Sequence, residues 1–341
     1  MQILYVSKTD PNAFSSLQEA VLSIPDGSGE TARIYVAPGI YEEKVFIRKE
    51  NLEIVGEDAM TTVFCYGDGA RKPRPDQTGE YGTFNTAVLF LAGRNITVRN
   101  ITVENTAGPG YLAGQALAVY AAADRLRFYG CRFLGWQDTI FAGDPVTCQM
   151  KKLMLPDFFV NSSVPMEFPL IRNYFKDCYI SGDVDFIFGP NTVFFENCEI
   201  HSRKRASEDK AFLTAASTPA GQEFGLVFYE CRLTGEEEDS VYLGRPWRDF
   251  AKTAFVCCTI GNHICSEGWL NWGRVRAEAG CSYIEYGNNG PGADTDRRAP
   301  FSKQLTNPEL KTYFARENVL KGEDGWTGND EKKVLQPKEE S

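Results

Sequence analysis

Two carboxylates stand in an otherwise apolar stretch of the sequence, the segment GDVDFIFG at residues 182–189. Asp183 and Asp185 flank Val184 and precede Phe-Ile-Phe, a pattern typical of a β-strand. An aspartate among large apolar side chains is costly to desolvate unless a charged partner or a function compensates for it. Because side chains alternate along a strand, both carboxylates are predicted to share one face, and periodicity alone does not choose between them.

Two other segments could supply partners for these acids. LGWQDTIF carries Gln137 and Asp138, and LGRPWRDF carries Arg245 and Trp247. A guanidinium stays charged and can fork onto a carboxylate, which keeps the carboxylate ionised and oriented. Two acids and an arginine on one surface could therefore do chemistry on an ester or a glycoside. A purely structural Asp–Arg pair is the alternative.

Other catalytic chemistries have few candidates in the chain. It contains two histidines, His201 and His263, and no GxSxG segment, so a Ser-His-Asp hydrolase of the common kind is disfavoured. Neither histidine has a second histidine or a cysteine at metal-ligand spacing. We expect both to be ordinary surface residues and expect no metal site.

Charge and hydropathy narrow the choice of partners. The chain has 341 residues, 46 acidic and 36 basic, with a net charge of −10. Without a basic block to contact phosphates, nucleic acid is not an expected partner. No apolar run is long enough to span a bilayer, and the first residues lack the pattern of a signal peptide. These features predict no membrane partner and a cytoplasmic location, unless the sequence is a mature or recloned form of a secreted protein.

Five of the ten cysteines occupy one recurring frame, in which a phenylalanine stands three residues before the cysteine. The copies are FYGCRF, FKDCYI, FENCEI, FYECRL and FVCCTI, with cysteines at 131, 178, 198, 231 and 258. Such a repeat is typical of stacked β-coils, each of which buries its inner face against its neighbours. We predict an all-β fold, a single-stranded right-handed parallel β-helix. The cysteines then form a core column of reduced thiols rather than a disulfide framework.

The two ends of the chain differ from these coils. Apolar residues at helical spacing (Phe14, Leu17, Ala20, Val21, Ile24) predict a short helix that caps the N-terminal end of the stack. From about Pro300 the pattern becomes polar and helical, and residues 329–341 are charged and expected to be disordered. The prediction is one catalytic domain over residues 1–328, followed by a tail without function.

One step between cysteines, from 131 to 178, exceeds the length of a coil. It contains residues 142–171, which are rich in proline, lack alternation and are interpreted as a long loop inserted between coils. Once this insertion is discounted, Asp138 precedes Asp185 by one coil and Arg245 follows about two coils later. Because parallel strands lie about 4.8 Å apart, the three side chains could meet on one face. The insertion could wall a cleft there or be a surface excursion.

Several segments together resemble the signature blocks of the pectin methylesterases (pectinesterases), carbohydrate esterases that demethylate pectin. The blocks occur in the order of the family: GQALAV, GWQDTIF, GDVDFIFG, LGRPWRDFAKTAF and YIEYGNNGPGAD. PGIYEEKV, TFNTA and ENTAGPG extend the similarity, which covers residues 3 to 328.

The resemblance implies a metal-free and cofactor-free parallel β-helix that hydrolyses galacturonate methyl esters in pectin or methylated oligogalacturonides, releasing methanol in pectin degradation or cell-wall modification. By matching position, Asp185 is similar to the nucleophile and Asp138 to the general acid and base. Asp183 is left with a role in local charge or a turn. The other matched positions are Gln115 and Gln137 for the oxyanion, Arg245 for the partner of the nucleophile, and Thr83, Val184, Phe188 and Trp247 for substrate contacts.

Two departures from the family motivate a hypothesis. The insertion lengthens the interval between the QDT and VDFIFG blocks, and no export signal is present. An enzyme inside the cell would meet imported oligogalacturonides, and the insertion could narrow the cleft toward such short substrates.

Two alternatives stay open on the residues alone. A β-helix glycosidase or lyase acting on polygalacturonate would want a second acidic or histidine cluster, or grouped calcium ligands. A non-catalytic β-helix could bind carbohydrate through Trp247 and neighbouring aromatic residues.

Overall fold

The chain winds into a stack of coils whose strands pair in parallel. A computed structural model describes residues 1–27, 29–143, 153–207 and 209–328. Successive coils place strands on three faces, and two long strands, β4 (Val45–Gly56) and β6 (Leu89–Arg99), bend from the first face onto the second. The predicted parallel β-helix is confirmed.

The strands that follow β6 on the first face carry the candidate residues. They are β8 (Val119–Ala121), β11 (Ile140–Phe141), β14 (Val184–Gly189), β17 (Ala211–Ala216) and β20 (Val241–Gly244).

The second and third faces close the coil. The second face holds β1 (Gln2–Val6), β2 (Ala32–Val36), β9 (Leu126–Tyr129), β12 (Arg172–Lys176), β15 (Thr192–Glu196), β18 (Leu226–Tyr229), β21 (Lys252–Val256), β23 (Ser282–Tyr286) and β24 (Lys303–Leu305). The third face holds β3 (Gly39–Glu42), β5 (Thr62–Tyr66), β7 (Thr102–Asn105), β10 (Arg132–Leu134), β13 (Tyr179–Gly182), β16 (Glu199–Ser202), β19 (Arg232–Gly235) and β22 (Thr259–Ile260).

The recurring frame builds two columns inside the stack. Ring centroids of successive phenylalanines lie 4.7, 4.8, 4.6 and 4.6 Å apart through Phe128, Phe175, Phe195, Phe228 and Phe255. The five cysteines that follow them are at most 2% exposed and free. This spacing matches the distance between neighbouring strands, so each coil contributes one ring and one thiol. The predicted core column of cysteines is confirmed.

A single residue makes the corner between the second and third faces. The residue before each cysteine of the frame has a positive φ: 58° at Gly130, 54° at Asp177, 51° at Asn197, 53° at Glu230 and 54° at Cys257. This left-handed conformation suits glycine and is tolerated by asparagine and aspartate. Glu230 and Cys257 occupy it at a conformational cost.

A row of large side chains runs along the outside of the first face, and we call it the outer aromatic row. Strand register aligns Phe46, Phe90, Tyr120, Phe141 and Phe188 in consecutive coils, and Ala215 follows them. Neighbouring ring centroids lie between 4.1 and 6.0 Å apart. The row connects the N-terminal coils to the strands that carry the candidate residues.

The N-terminal end of the stack is capped by a helix, as predicted. Helix α1 spans Leu17–Leu22, and the Ser16 side chain accepts a hydrogen bond from the Glu19 amide at its first turn. Leu17, Ala20 and Val21 are buried in the core. The helix is shorter than the apolar spacing indicated.

The C-terminal segment runs back along the second face. Short helices span Glu309–Tyr313 and Arg316–Val319, which agrees with the expected helical pattern. Asp324 then accepts hydrogen bonds from Arg172 at 2.7 Å and Arg125 at 2.5 Å, and the Trp326 ring lies 5.2 Å from the Arg172 guanidinium. The predicted tail, 329–341, lies outside the described residues. Within those residues, no helix is long and apolar enough to cross a membrane.

Within the predicted insertion at 142–171, the structure describes residues 142–143 and 153–171. It contains a short helix at Asp157–Val160 and returns to the stack at β12. Phe159, Val164 and Ile171 are at most 5% exposed, so this part of the insertion packs against the coils and is not a bare surface excursion.

One expectation about the histidines is wrong. His263 is 1% exposed, packed between Gly235 and Gly261, where an added Cβ would lie 2.5 and 2.8 Å from its ring. Only these small residues leave room for an imidazole inside the corner. His201 is half-buried, and its Nδ1 lies 2.9 Å from the Thr234 hydroxyl.

Candidate active site

Asp185 lies at an irregularity of β14. The register with β17 shifts between Val184 and Ile187, and Asp185 has a φ of 49°. Phe186 and Ile187 both belong to the inner core, although they are consecutive residues. The expectation of regular strand alternation through GDVDFIFG is therefore wrong. A bulge of this kind re-aims a side chain, and here it turns Asp185 to the outer surface.

Arg245 binds both carboxylate oxygens of Asp185 through two nitrogens of its guanidinium group. Its Nε donates to Oδ1 at 2.8 Å and its Nη2 to Oδ2 at 2.6 Å. The guanidinium lies between the rings of Phe212 and Trp272, 3.8 Å from each centroid. Burial raises the pKa of Asp185, and the bidentate contact with Arg245 opposes this rise. Arg245 thus orients the carboxylate and limits the rise of its pKa, which burial leaves above the ordinary value.

The two rings around Arg245 were not predicted from the sequence. Trp272 lies between β22 and β23 on an irregular segment with a φ of 55°, and Phe212 is one of many phenylalanines. The strand register between β14 and β17 is what places Phe212 near the site, because Phe212 pairs with Val184 of the acidic segment.

Asp138 lies one coil before Asp185, as the coil spacing predicts. Its amide donates to the Val184 carbonyl at 2.9 Å, and its φ of 68° also places it in the left-handed region. Burial raises the pKa of Asp138 well above the ordinary value, and the charge of Asp185 adds to the effect. Among the described residues, no arginine makes a bidentate hydrogen bond to the Asp138 carboxyl group. Asp138 therefore keeps its proton more readily than Asp185 does.

The two glutamines lie on adjacent coils beside Asp138. The Ala116 amide, next to Gln115, donates to the Gln137 carbonyl at 3.0 Å. A Cβ at Gly110 would lie 2.3 Å from the Gln137 Oε1, so only glycine allows the chain to approach this side chain. Both glutamines are half-buried.

The positions matched to substrate contacts border the same surface. Phe188 belongs to the outer aromatic row, and the Trp247 ring lies 5.7 Å from it. Val184 and Phe188 are largely buried, with 7% and 4% of their surface exposed. Thr83 begins a 3-10 helix at Thr83–Asn85, whose Phe84 packs 4.8 Å from Phe141 in the row. The nine predicted site residues thus come from five coils and lie in or beside the strands of the first face.

Asp183 has a separate environment. Its Oδ1 accepts a hydrogen bond from the Val184 amide at 2.8 Å, and burial raises its pKa. Arg205, from the segment after β16, acts electrostatically on both Asp183 and Asp185 and lowers the pKa of each. This charge was not anticipated from the sequence. The Asp183 carboxylate thus bonds to a neighbouring backbone amide, whereas the Asp185 carboxylate is the one that Arg245 binds.

Known proteins with the same pattern identify the family. The family model described as Pectinesterase matches residues 4–145 and 169–323. Pectinesterase 31 of Arabidopsis thaliana is 33% identical, over 90% of this chain and 89% of that protein. Putative pectinesterase 11 of the same plant is 31% identical, over 94% of this chain and 80% of that protein.

Solved structures agree with the sequence comparison. Pectin methylesterase from carrot superposes with a TM-score of 0.80 at 27% identity, covering 93% of this chain and 92% of that one. Pectin methylesterase from Erwinia chrysanthemi superposes with a TM-score of 0.74 at 26% identity, covering 96% and 99%. A further pectin methylesterase structure, with a TM-score of 0.76 at 26% identity, is a complex with a hexasaccharide.

Proposed function

This chain belongs to the pectinesterase family, and we propose that it removes the methyl esters of galacturonate through an acyl-enzyme formed on Asp185. It is a pectinesterase that demethylates pectin, and the roles of its individual residues are the proposal. The observation that carries these roles is the asymmetry of two neighbouring carboxyl groups. Asp185 is forked by Arg245, whereas burial and the charge of Asp185 raise the pKa of Asp138.

The first half of the reaction uses Asp185 as nucleophile. Its ionised carboxylate attacks the ester carbonyl carbon, and the amides of Gln115 and Gln137 donate hydrogen bonds to the oxyanion that develops. Neutral amides suit this task because they do not protonate the nucleophile. As the bond between the carbonyl carbon and the methoxy oxygen breaks, Asp138 gives its proton to that oxygen. Methanol leaves, and an anhydride remains on Asp185.

The second half returns both acids to their starting states. Asp138, now ionised, takes a proton from a water molecule that attacks the acyl carbon of the anhydride. The bond from that carbon to the Asp185 oxygen breaks, which regenerates the carboxylate held by Arg245. Galacturonic acid is released and loses its proton to bulk water, and Asp138 is again protonated. Trp247 and Phe188 offer apolar faces for the sugar and the methyl group.

The first prediction compares two neighbouring acids. Asp185→Asn should lower methanol release from methylated pectin by about 1,000-fold or more, because an amide is a poor nucleophile. Asp183→Asn keeps an oxygen acceptor for the Val184 amide and should stay within about fivefold of the wild type. Methanol is measured beside reducing ends and unsaturated products.

Two results would contradict these roles. Equal activity of wild type and Asp185→Asn would exclude the proposed nucleophile. New reducing ends or unsaturated products in place of methanol would indicate a glycosidase or a lyase instead.

A further inference from the structure

The described part of the insertion, residues 153–168, lies within a stretch that the family model leaves unmatched. These residues nevertheless pack on the same first face that carries the catalytic candidates. Leu153, Leu155 and Met166 contact the apolar cluster that contains Phe188. This part of the insertion, which the family model does not match, therefore lies next to the candidate active site, whose residues the family model does match.

The insertion covers the N-terminal part of the outer aromatic row. The Phe159 ring lies 5.1 Å from Phe90 and 6.3 Å from Phe46, edge-on to both, and is 1% exposed. Beyond it, Phe84 lies over Tyr120 and Phe141. A sugar ring needs an exposed aromatic face to stack on, and these faces are already occupied by protein.

Arg48 fixes the insertion to β4. Its Nε donates to the Val164 carbonyl at 2.7 Å, and its Nη1 donates to the carbonyls of Phe159 and Val160 at 2.9 and 3.0 Å. Three charge-assisted hydrogen bonds to backbone oxygens hold the end of the short helix in place. The Ser163 amide adds a contact of 3.3 Å to Asp26.

The other end of the segment is tied to the substrate side of the site. The Met154 amide donates to the Asn85 Oδ1 at 2.7 Å, and Asn85 ends the 3-10 helix that begins at Thr83. The carbonyl of Asn85 accepts in turn from Lys44 at 2.7 Å. The insertion is therefore continuous with the turn that carries a substrate-contacting position.

From this packing we propose that residues 153–168 form a fixed wall that ends the binding cleft on its N-terminal side. The cleft then extends only toward Phe188 and Trp247, so it holds few sugar units beyond the reacting one. The preferred substrates are short methyl-esterified oligogalacturonides and the ends of longer chains, rather than internal units of a long polymer. This specificity rests on the esterase function proposed above.

The test uses the whole chain and a length series of substrates. Methanol release is measured on methyl-esterified oligogalacturonides of increasing length and on high-methoxyl pectin, and kcat/KM is expressed per chain. For the wild type, kcat/KM should stop rising within a few units and should be no higher on the polymer. Carrot pectin methylesterase, run in parallel, checks that the polymer preparation is a competent substrate.

Variants of the wall supply the second arm. Phe159→Ala should raise the ratio of polymer to oligomer kcat/KM by about tenfold, the change that 1.4 kcal/mol of regained binding would give. Arg48→Met, which removes the three hydrogen bonds, should shift the ratio in the same direction. Phe158→Ala is the matched control, because Phe158 lies in the same short helix but is 40% exposed. Its ratio should equal that of the wild type.

The outcomes separate the two proposals. A wild type that releases no methanol from any substrate would overturn the esterase function. A wild type that releases methanol but strongly prefers long pectin would overturn only the wall. The wall also fails if folded Phe159→Ala and Arg48→Met, checked by thermal unfolding, keep the wild-type ratio. If Phe159→Ala does not fold, the wild-type series and Arg48→Met still decide.

Discussion

At the scale of single residues, the site depends on one arginine that contacts a carboxylate and two aromatic rings. Asp185 accepts two hydrogen bonds from Arg245, and the rings of Phe212 and Trp272 lie on either side of the guanidinium. A planar cation fits between two rings in a way that an ammonium does not. The orientation and the position of the Asp185 carboxylate are thus set together.

Arg245→Lys tests this dependence on geometry. A lysine keeps the charge but loses the fork, so we expect kcat to fall by about 100-fold. Weaker pairing lets burial raise the pKa of Asp185 further, and fewer molecules are then ionised at a given acidic pH. The acidic limb of the kcat/KM profile should move to higher pH. Arg232→Lys, at an exposed ion pair on the third face, is the control. An unmoved limb would contradict the role of Arg245.

The sequence predicted some residues of the site and not others, for physical reasons. Asp138, Asp185 and Arg245 were expected to converge, because coil spacing brings equivalent positions together. Periodicity did not separate Asp183 from Asp185, since a positive φ at a non-glycine residue leaves no sign in the pattern of apolar residues. Resemblance to the family selected Asp185, and the bulge in β14 supplies the structural cause.

At the scale of elements, each coil turns its corner through one left-handed residue. Asn197 and Gly130 suit that conformation, whereas Glu230 adopts a φ of 53° without the local hydrogen bonding that asparagine offers. The repeat of phenylalanine and cysteine was visible in the sequence, so the strands and their core columns could be predicted. The packing of the insertion could not, because its hydrogen bonds with β4 join residues more than 100 positions apart.

Glu230→Asn should raise the free energy of unfolding by up to about 1 kcal/mol, because asparagine tolerates the left-handed region better than glutamate. Glu230→Ala keeps the conformational cost and loses the same distant contact with Lys311, at 3.9 Å, so it is the matched control. Urea unfolding of the three proteins gives the comparison. Equal stability of both variants would show that the corner carries no strain.

At the scale of the whole molecule, a buried histidine links stability to pH. Neither ring nitrogen of His263 has a partner among the described residues, and burial lowers its pKa to about 4 from 6.5, with His201 adding to the effect. Between these values the unfolded chain binds a proton that the folded chain excludes. Stability should therefore fall as the pH drops from 6.5 toward 4.

His263→Leu should remove this part of the pH dependence. The difference between the unfolding free energies of wild type and variant is expected to change by on the order of 3 kcal/mol across the window. Carboxylates shared by both proteins cancel in that difference. His201→Gln, at the half-buried histidine, should retain most of the wild-type slope. Parallel curves for wild type and His263→Leu would contradict a titrating role for this side chain.

The C-terminal segment changes how the stack comes apart. Coils in a solenoid contact only their neighbours, so the terminal coils ordinarily fray first. Here the contact between Arg172 and Asp324 closes a loop of 152 residues, which begins in the middle of the stack. Opening the last coils leaves them tethered at both ends instead of freeing a chain end. This contact has a far larger sequence separation than those between neighbouring coils, and such non-local contacts favour slow, cooperative folding over stepwise growth from one coil to the next.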